Sequence, residues 1–218
     1  MQELTERVFE ISPPGGLFDA TVIQNLFSAA SAGARRLLVF RAVHAGEVVR
    51  LKPGLYMLGP TYRKSEAHPY QVAAFIHAPS HVSLQSSLAH HGLIPEAVYQ
   101  VSSVTTARSR SYTTPIGVFS FDCVPSVAPR AGVVIEKLGR DAWAFIATPL
   151  RAIADLVYLD RAVAWSKDGS RFLTESLRID EEDLARLPWA ALAEIHEGIR
   201  DRRTQEYLRA LEREYRHA

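Results

Sequence analysis

The sequence has 218 residues, enough for one large domain or two smaller ones, and it is 47% hydrophobic and 22% charged. This composition is typical of a folded protein and excludes a disordered chain. No apolar run approaches the roughly 20 residues that span a bilayer, and we expect neither a secretory signal nor, with Cys123 the only cysteine, an internal disulfide. The sequence therefore predicts a cytoplasmic protein without membrane association.

Charge is distributed unevenly along the chain, although the formal net charge is only +1. Between Ser31 and Lys64 there are seven cationic side chains and one acid, Glu47, which gives this window a net charge of +6. Residues 175–218 hold eleven acids and eight arginines, a net charge of −3. A basic first third beside an acidic tail is typical of nucleic-acid binders. An unevenly charged solvated surface is the alternative interpretation.

The first 58 residues predict three helices and a two-stranded ribbon. A short amphipathic helix covers residues 4–11, a second helix follows Asp19 as its N-cap, and a third covers residues 34–44 and ends before Gly46. Residues 49–58 then form two short strand-like runs on either side of a turn. Helix, turn, helix and basic ribbon, in this order, is the layout of a winged helix-turn-helix.

In such a domain the third helix is the recognition helix, whose N-terminal residues enter the major groove of DNA. We expect Leu37, Leu38 and Val43 to face the core. The predicted DNA contacts are hydroxyl and cationic side chains: Ser31, Arg35, Arg36 and Arg41 in or beside the major groove, and Arg50 and Lys52 on flanking phosphates. Because helical hairpins with basic ribbons also bind proteins, a protein-binding module without a DNA role remains an alternative.

The remainder of the chain predicts a second domain, so that residues 1–62 form the winged helix-turn-helix and residues 63–218 an α+β domain. Helices are predicted to begin at Pro69, after Ser83 and after Thr148, and again from Glu175 onward. Strand-like alternation is found in four segments, from which we expect an antiparallel sheet: residues 98–105, 118–124, 133–138 and 142–146. The predicted fold class is α+β with a helical C-terminus.

No pattern in the sequence indicates a catalytic, metal or cofactor site. His77 and His81 have the spacing of zinc ligands on a helix, but a proline lies between them. Asp122 and Glu136 with Lys137 come nearest to the carboxylates and lysine of a nuclease, yet neighbouring residues on a strand face opposite sides. We expect no enzyme, cofactor or metal, and a metal-dependent nuclease is the remaining enzymatic alternative.

A small basic cluster lies in the segment TTARSRSYTTP. If this segment is extended, alternation places Arg108 and Arg110 on the same side. The pair is a candidate for binding an anion or a partner, and a solvated loop is the alternative.

Several pieces of the sequence, taken in order, resemble the AbiEi-type antitoxins of bacterial type IV toxin–antitoxin systems. The similarity runs from Gly54-Leu55-Tyr56 to about Leu159. It is clearest in HVSLQSSLAHHGLIP, in Val101 to Thr105, in Thr114-Pro115-Ile116-Gly117 and in AFIATPLRAIADLVYL.

This resemblance implies an N-terminal winged helix that binds the double-stranded promoter DNA of its own operon at inverted repeats. It also implies a second domain that counteracts a nucleotidyltransferase-like toxin without a stable complex, and it carries over no catalytic residues. One departure is visible: the family usually has Glu-Lys where this chain has Leu150-Arg151. If that pair contributes to antitoxin activity, this chain is only a regulator or opposes a different toxin.

Overall fold

The computed structural model describes residues 1–95 and 99–216, whose contacts form two compact units. The first unit contains Met1–Ala78, Tyr112–Val118 and Lys137–Ala144. The second contains Pro79–Ser111, Phe119–Glu136 and Phe145–Ala218. The first unit thus extends beyond the domain predicted for residues 1–62, and the boundary predicted after residue 62 stays a prediction.

The N-terminal part of the first unit combines helices with short strands, and local signals fix some of their ends. Asp19 Oδ1 accepts the backbone N–H of Val22 at 2.9 Å and caps the second helix. Gly54 has a φ of +80°, which the tight turn of the ribbon requires. In chain order the elements are α1 (Glu3–Ile11), β1 (Leu17–Asp19), α2 (Ala20–Leu26), α3 (Ala32–His44), β2 (Val48–Lys52), β3 (Leu55–Leu58) and α4 (Pro69–Ile76).

Strand β1 was not predicted from the sequence, because three residues are too few to display an alternating pattern. It pairs antiparallel with β3, so that Leu17 lies opposite Met57. The sheet therefore has three strands in the order β1-β3-β2. This third strand fixes the ribbon of β2 and β3, which would be only marginally stable by itself.

The third predicted helix, α3, contributes less to the core of the first unit than expected. Only Ala42 of α3 is fully buried, while Leu38 and Val43 pack at its edge. The prediction that Leu37 faces the core was wrong, because its side chain is 47% exposed. Phe40 is 64% exposed, so the apolar residues of α3 surround the helix instead of forming one stripe. The buried cluster that α3 joins consists of Leu4, Val8, Phe18, Ile23, Ala42, Val48 and Leu58.

The larger sheet is mixed, which corrects the antiparallel sheet predicted from the sequence. Val82 pairs with Ile146 in parallel, whereas His81 pairs antiparallel with Val104. The six strands are β4 (Ser80–Val82), β5 (Gln100–Thr105), β6 (Arg110–Thr114), β7 (Gly117–Cys123), β8 (Val133–Lys137) and β9 (Trp143–Ala147), in the order β6-β7-β5-β4-β9-β8. The predicted start of one strand at Val98 lies outside the described residues.

Helices of the second unit enclose a larger apolar core. Thr148 Oγ accepts the backbone N–H of Arg151 at 3.4 Å, so the predicted Thr148-Pro149 start is confirmed. The α-helices are α5 (Leu84–His90), α6 (Pro149–Leu159), α7 (Trp165–Asp168), α8 (Glu181–Ala185), α9 (Leu192–Gly198) and α10 (Arg202–Tyr215), with a π-helical turn at Phe172–Ser176. In the described part of the chain no helix combines the length and apolarity needed to cross a bilayer.

A buried ion pair lies at the centre of the second unit. Asp155 and Arg151 of α6 are both 0% exposed, and Arg151 Nε donates to Asp155 Oδ1 at 2.9 Å. Ser83 Oγ donates to Asp155 Oδ2 at 2.7 Å, and a terminal nitrogen of Arg151 donates to Ala131 O at 2.7 Å. Ser83 was predicted to cap α5 through its side chain, but that hydroxyl binds Asp155 instead. The next residue, Leu84, has a φ of +56°.

Removing one partner of this pair is expected to be far more harmful than removing both. Asp155→Asn or Arg151→Met alone should lower the free energy of unfolding by about 3–5 kcal/mol, because the other charge stays buried without a partner. The double variant Arg151→Met/Asp155→Leu should lose less than the sum of the two single variants. Urea unfolding followed by circular dichroism measures these differences, and strictly additive losses would contradict a coupled pair.

The same pair gives the unfolding free energy an acid dependence. Burial alone would raise the pKa of Asp155, but the Arg151 guanidinium, with His81 and Ser83, holds this pKa below its ordinary value. Since the pKa of an unfolded aspartate is about 3.9, the stabilisation is complete well above that pH and is lost as the pH falls through the folded pKa. The acid-dependent loss of stability should be smaller in Asp155→Asn than in the wild type.

Candidate nucleic-acid interface

The N-terminus of α3 is held by two of the residues predicted to contact DNA. Ser31 Oγ accepts the backbone N–H of Ala34 at 3.2 Å and caps the helix. A terminal nitrogen of Arg35 donates to Phe27 O at 3.2 Å and to Ala30 O at 2.5 Å. Both side chains therefore fix the turn between α2 and α3, and part of the Arg35 guanidinium already has a structural role.

A groove of about 640 Å³ runs along α2, α3 and the β2–β3 ribbon. Three of the six predicted contact residues line it, namely Arg35, Arg36 and Arg50. Arg36 belongs to the helix and Arg50 to the ribbon, so two elements separated in sequence present their cations to one concave surface. We call this surface the basic groove.

Arg36, Arg41 and Arg50 are the exposed cations of this region. Among the described residues, none forms a hydrogen bond or an ion pair with the guanidinium group of any of them. Arg41 was predicted to point outward and does so, but it is not among the residues that line the basic groove. These three guanidinium groups are available for an external anion.

Lys52 has a different environment from Arg50, although both belong to β2. Its ammonium group donates to Ile76 O at 2.5 Å and lies 5.8 Å from the centre of the Tyr112 ring. The strand pairing shifts register between Arg50 and Lys52, and such a bulge changes the direction of the following side chain. The phosphate contact predicted for Lys52 stays a prediction, and it requires the amine to leave these partners.

The only acid of the basic window does not offset the groove cations. Glu47 is buried, and its Oε2 accepts the backbone N–H of Gln2 at 2.7 Å. This hydrogen bond lowers the pKa of Glu47. Its negative charge is therefore engaged beside α1, and Glu47 does not line the basic groove.

Sequence reasoning missed the uncharged side chains of the groove. Gln24 of α2, Phe40 of α3 and Tyr56 of β3 line it together with the arginines. The Phe40 ring stacks on His44 with ring centres 5.8 Å apart. A signal for Phe40 was present, because four consecutive apolar residues at positions 37–40 point in directions about 100° apart on a helix and cannot all face one core.

Only part of the segment that carries Arg108 and Arg110 belongs to a β-strand. Arg110 begins β6, whereas Arg108 lies in the loop before it, and both side chains are exposed. Strand alternation therefore does not place these two arginines on one side. Their predicted binding of an anion or partner stays a prediction.

The residues of the nuclease hypothesis have other surroundings. Glu136 Oε2 lies 2.7 Å from His90 Nε2, so this carboxylate already has a protein partner. Burial raises the pKa of Asp122. Within the described residues, no group of three or more histidine, cysteine or acidic side chains has the arrangement of a metal site.

Comparison with known proteins assigns no family to this chain, so a function has to be argued from the geometry of the site. No protein-family model and no curated protein sequence matches the chain.

The two neighbouring arginines of α3 should differ in their effect on stability. Arg35→Ala should lower the free energy of unfolding by about 1–3 kcal/mol, because hydrogen bonds from a charged donor to two carbonyl groups are lost. The matched control Arg36→Ala should change it by less than about 0.5 kcal/mol, as is usual for an exposed side chain. Equal losses in a chemical denaturation experiment would show that the capping role of Arg35 is misassigned.

Proposed function

We propose that the chain binds double-stranded DNA through its N-terminal elements, which act as a winged helix-turn-helix. The observation that carries this proposal is the basic groove, where Arg36 of α3 and Arg50 of β2 line one surface without a protein partner among the described residues. The order α1-β1-α2-α3-β2-β3 and the sheet order β1-β3-β2 support it, since they are the layout of that domain.

In this proposal α3 enters the major groove and the ribbon follows the backbone of the duplex. Arg36 and Arg41 bind guanine edges or phosphates, and Arg50 binds a flanking phosphate. Ser31 and Arg35 hold the helix N-terminus in position, and Arg35 keeps two of its three guanidinium nitrogens for DNA. Lys52 contributes least, because its ammonium group is already hydrogen-bonded.

The biological role that we propose is that of a cytoplasmic antitoxin and transcriptional autorepressor in a type IV toxin–antitoxin operon. It rests on the resemblance of the middle segments to AbiEi-type antitoxins and on the DNA-binding proposal. The second unit would counteract a nucleotidyltransferase-like toxin without a stable complex. Leu150, at the position of the family's usual glutamate, is fully buried. That position therefore supplies no acidic group for this activity.

One observation favours a second candidate function, a protein-binding module that neutralises a partner by direct contact. Leu37 and Phe40 expose 47% and 64% of their area on the same helix as the arginines. Of the two, Phe40 lines the basic groove, and exposed apolar side chains are common in protein-binding surfaces. A partner bound there would occupy the surface that the first proposal assigns to DNA.

The salt dependence of DNA binding tests the assignment of the groove arginines. For a phosphate contact, Arg50→Ala should reduce the slope of log K against log salt concentration by about 0.9 and weaken binding to every sequence alike. Adding Lys52→Ala should change the slope little further. By contrast, Arg36→Ala should cost about 1–3 kcal/mol at particular base pairs. Fluorescence anisotropy with the promoter duplex and a shuffled duplex measures both quantities.

A matched control for these variants is Arg200→Ala, an exposed arginine of the second unit. It should leave both slope and sequence preference unchanged. Unchanged DNA affinity in Arg36→Ala and Arg50→Ala, together with co-elution of a partner that Phe40→Ala abolishes, would replace the DNA proposal by the protein-binding one.

Repression and toxin neutralisation should be separable by mutation. The double variant Arg36→Ala/Arg50→Ala should lose repression of a reporter driven by its own promoter. It should still restore growth when expressed with the nucleotidyltransferase-like protein encoded beside it, because the second unit is intact. Reporter fluorescence and colony counts measure the two effects. If no such protein is encoded there, or if the wild type fails to restore growth, the antitoxin part of the proposal is wrong.

A further inference from the structure

The second unit contains a small cavity of about 230 Å³ that none of the preceding assignments uses. It lies beside β4, β5 and the N-terminal half of α6. Two arginines and one histidine line it, Arg130, Arg151 and His81, and its apolar wall includes Val104, Val124 and Pro129. All of the lining residues are described, and none of them is acidic.

His81 is the feature that most needs a partner from outside the protein. It is only 6% exposed, yet its Nε2 has no hydrogen-bond partner among the described residues. The nearest acid atom is Asp155 Oδ2 at 3.6 Å, which is too far for a hydrogen bond. That oxygen already accepts Ser83 Oγ–H at 2.7 Å. His81 Nε2 is thus within ion-pair distance of Asp155 but makes no hydrogen bond to it, and an acceptor oxygen in the cavity would provide that hydrogen bond.

The two arginines are held in place before any ligand binds. Arg151 is fixed by its hydrogen bonds to Asp155 Oδ1 and Ala131 O. The Arg130 guanidinium carbon lies 3.5 Å from the centre of the Phe145 ring, a close cation–π contact. Fixed cations bind an anion with little loss of side-chain entropy, which makes the site preorganised.

The charge of the site favours an anion even when His81 is neutral. Arg130 and Arg151 carry one positive charge each, and Asp155 behind Arg151 balances one of them, which leaves a net charge of +1. Three nitrogen-bearing side chains suit a tetrahedral oxyanion with several acceptor oxygens. The apolar wall suits a short hydrocarbon body, and the volume admits nothing larger than a small molecule.

We infer that this cavity, formed by His81, Arg130 and Arg151, binds a small phosphate monoester, with the phosphate at the cationic wall and an apolar group against Val104 and Val124. Arg130 and His81 donate to the phosphate oxygens, while Arg151 supplies a fixed positive charge behind them. The inference is independent of DNA binding, since it concerns residues of the second unit alone.

Isothermal titration calorimetry of the full chain with phenyl phosphate tests this inference. We expect a dissociation constant of about 1 mM or lower. Phenol, which lacks the charge, should show no binding, and inorganic phosphate, which lacks the apolar body, should bind about tenfold more weakly. Absence of phenyl phosphate binding up to about 10 mM, or equal binding of phenol, would overturn the proposal.

Two arginine variants locate the binding site. Arg130 is exposed at the cavity mouth, so Arg130→Met should leave the fold intact and weaken phenyl phosphate binding by about tenfold or more. Arg200→Met is the matched control, because Arg200 is an exposed arginine of the same unit outside the cavity. His81→Gln should also weaken binding. Loss of binding in Arg200→Met, or full binding in Arg130→Met, would place the anion elsewhere and refute the assignment.

Discussion

The buried carboxylate of Asp155 is the constraint on which the second unit depends. A charge with no solvent exposure must be neutralised and hydrogen-bonded, and three separate chain segments meet this need. Arg151 comes from one turn earlier in the same helix, and Ser83 comes from the junction of β4 with α5. The carbonyl oxygen of Ala131 accepts a hydrogen bond from a terminal nitrogen of Arg151. Bonds across 72 and 20 sequence positions thereby join the sheet to α6, and the left-handed backbone at Leu84 lies at the same junction.

Helix starts could be predicted from the sequence because capping is local. Asp19 and Thr148 accept backbone N–H groups three residues ahead, as their residue types suggest. Ser83 has the same residue type and the same position before a helix, yet its hydroxyl is used by Asp155, 72 residues away. Local sequence carries no sign of such a distant acceptor. Tertiary contacts also decide the parallel pairing of Val82 with Ile146, which no alternating pattern can reveal.

The sequence predicted the positive charge of the candidate site but not the directions in which its side chains point. Counting cations located the basic window, but Arg50 and Lys52 differ by two positions and should share one face of a regular strand. The register shift between them breaks this rule, and Lys52 binds Ile76 O instead of facing solvent. In α3, Ala42 is buried but Leu37 and Phe40 are exposed, so apolar character did not decide burial there.

The two cationic sites differ in a way that matches different ligands. In the basic groove, Arg36 and Arg50 are exposed and held by no described residue, so each can adjust to the phosphates of a long polymer whose affinity comes from released counterions. In the cavity of the second unit, Arg130 is stacked on Phe145 and Arg151 is clamped by Asp155, so neither can follow an extended backbone. Fixed donors around a small volume select instead for the size and shape of a single anion. Freedom of the arginines, more than their number, therefore separates the surface proposed for DNA from the site proposed for a small molecule.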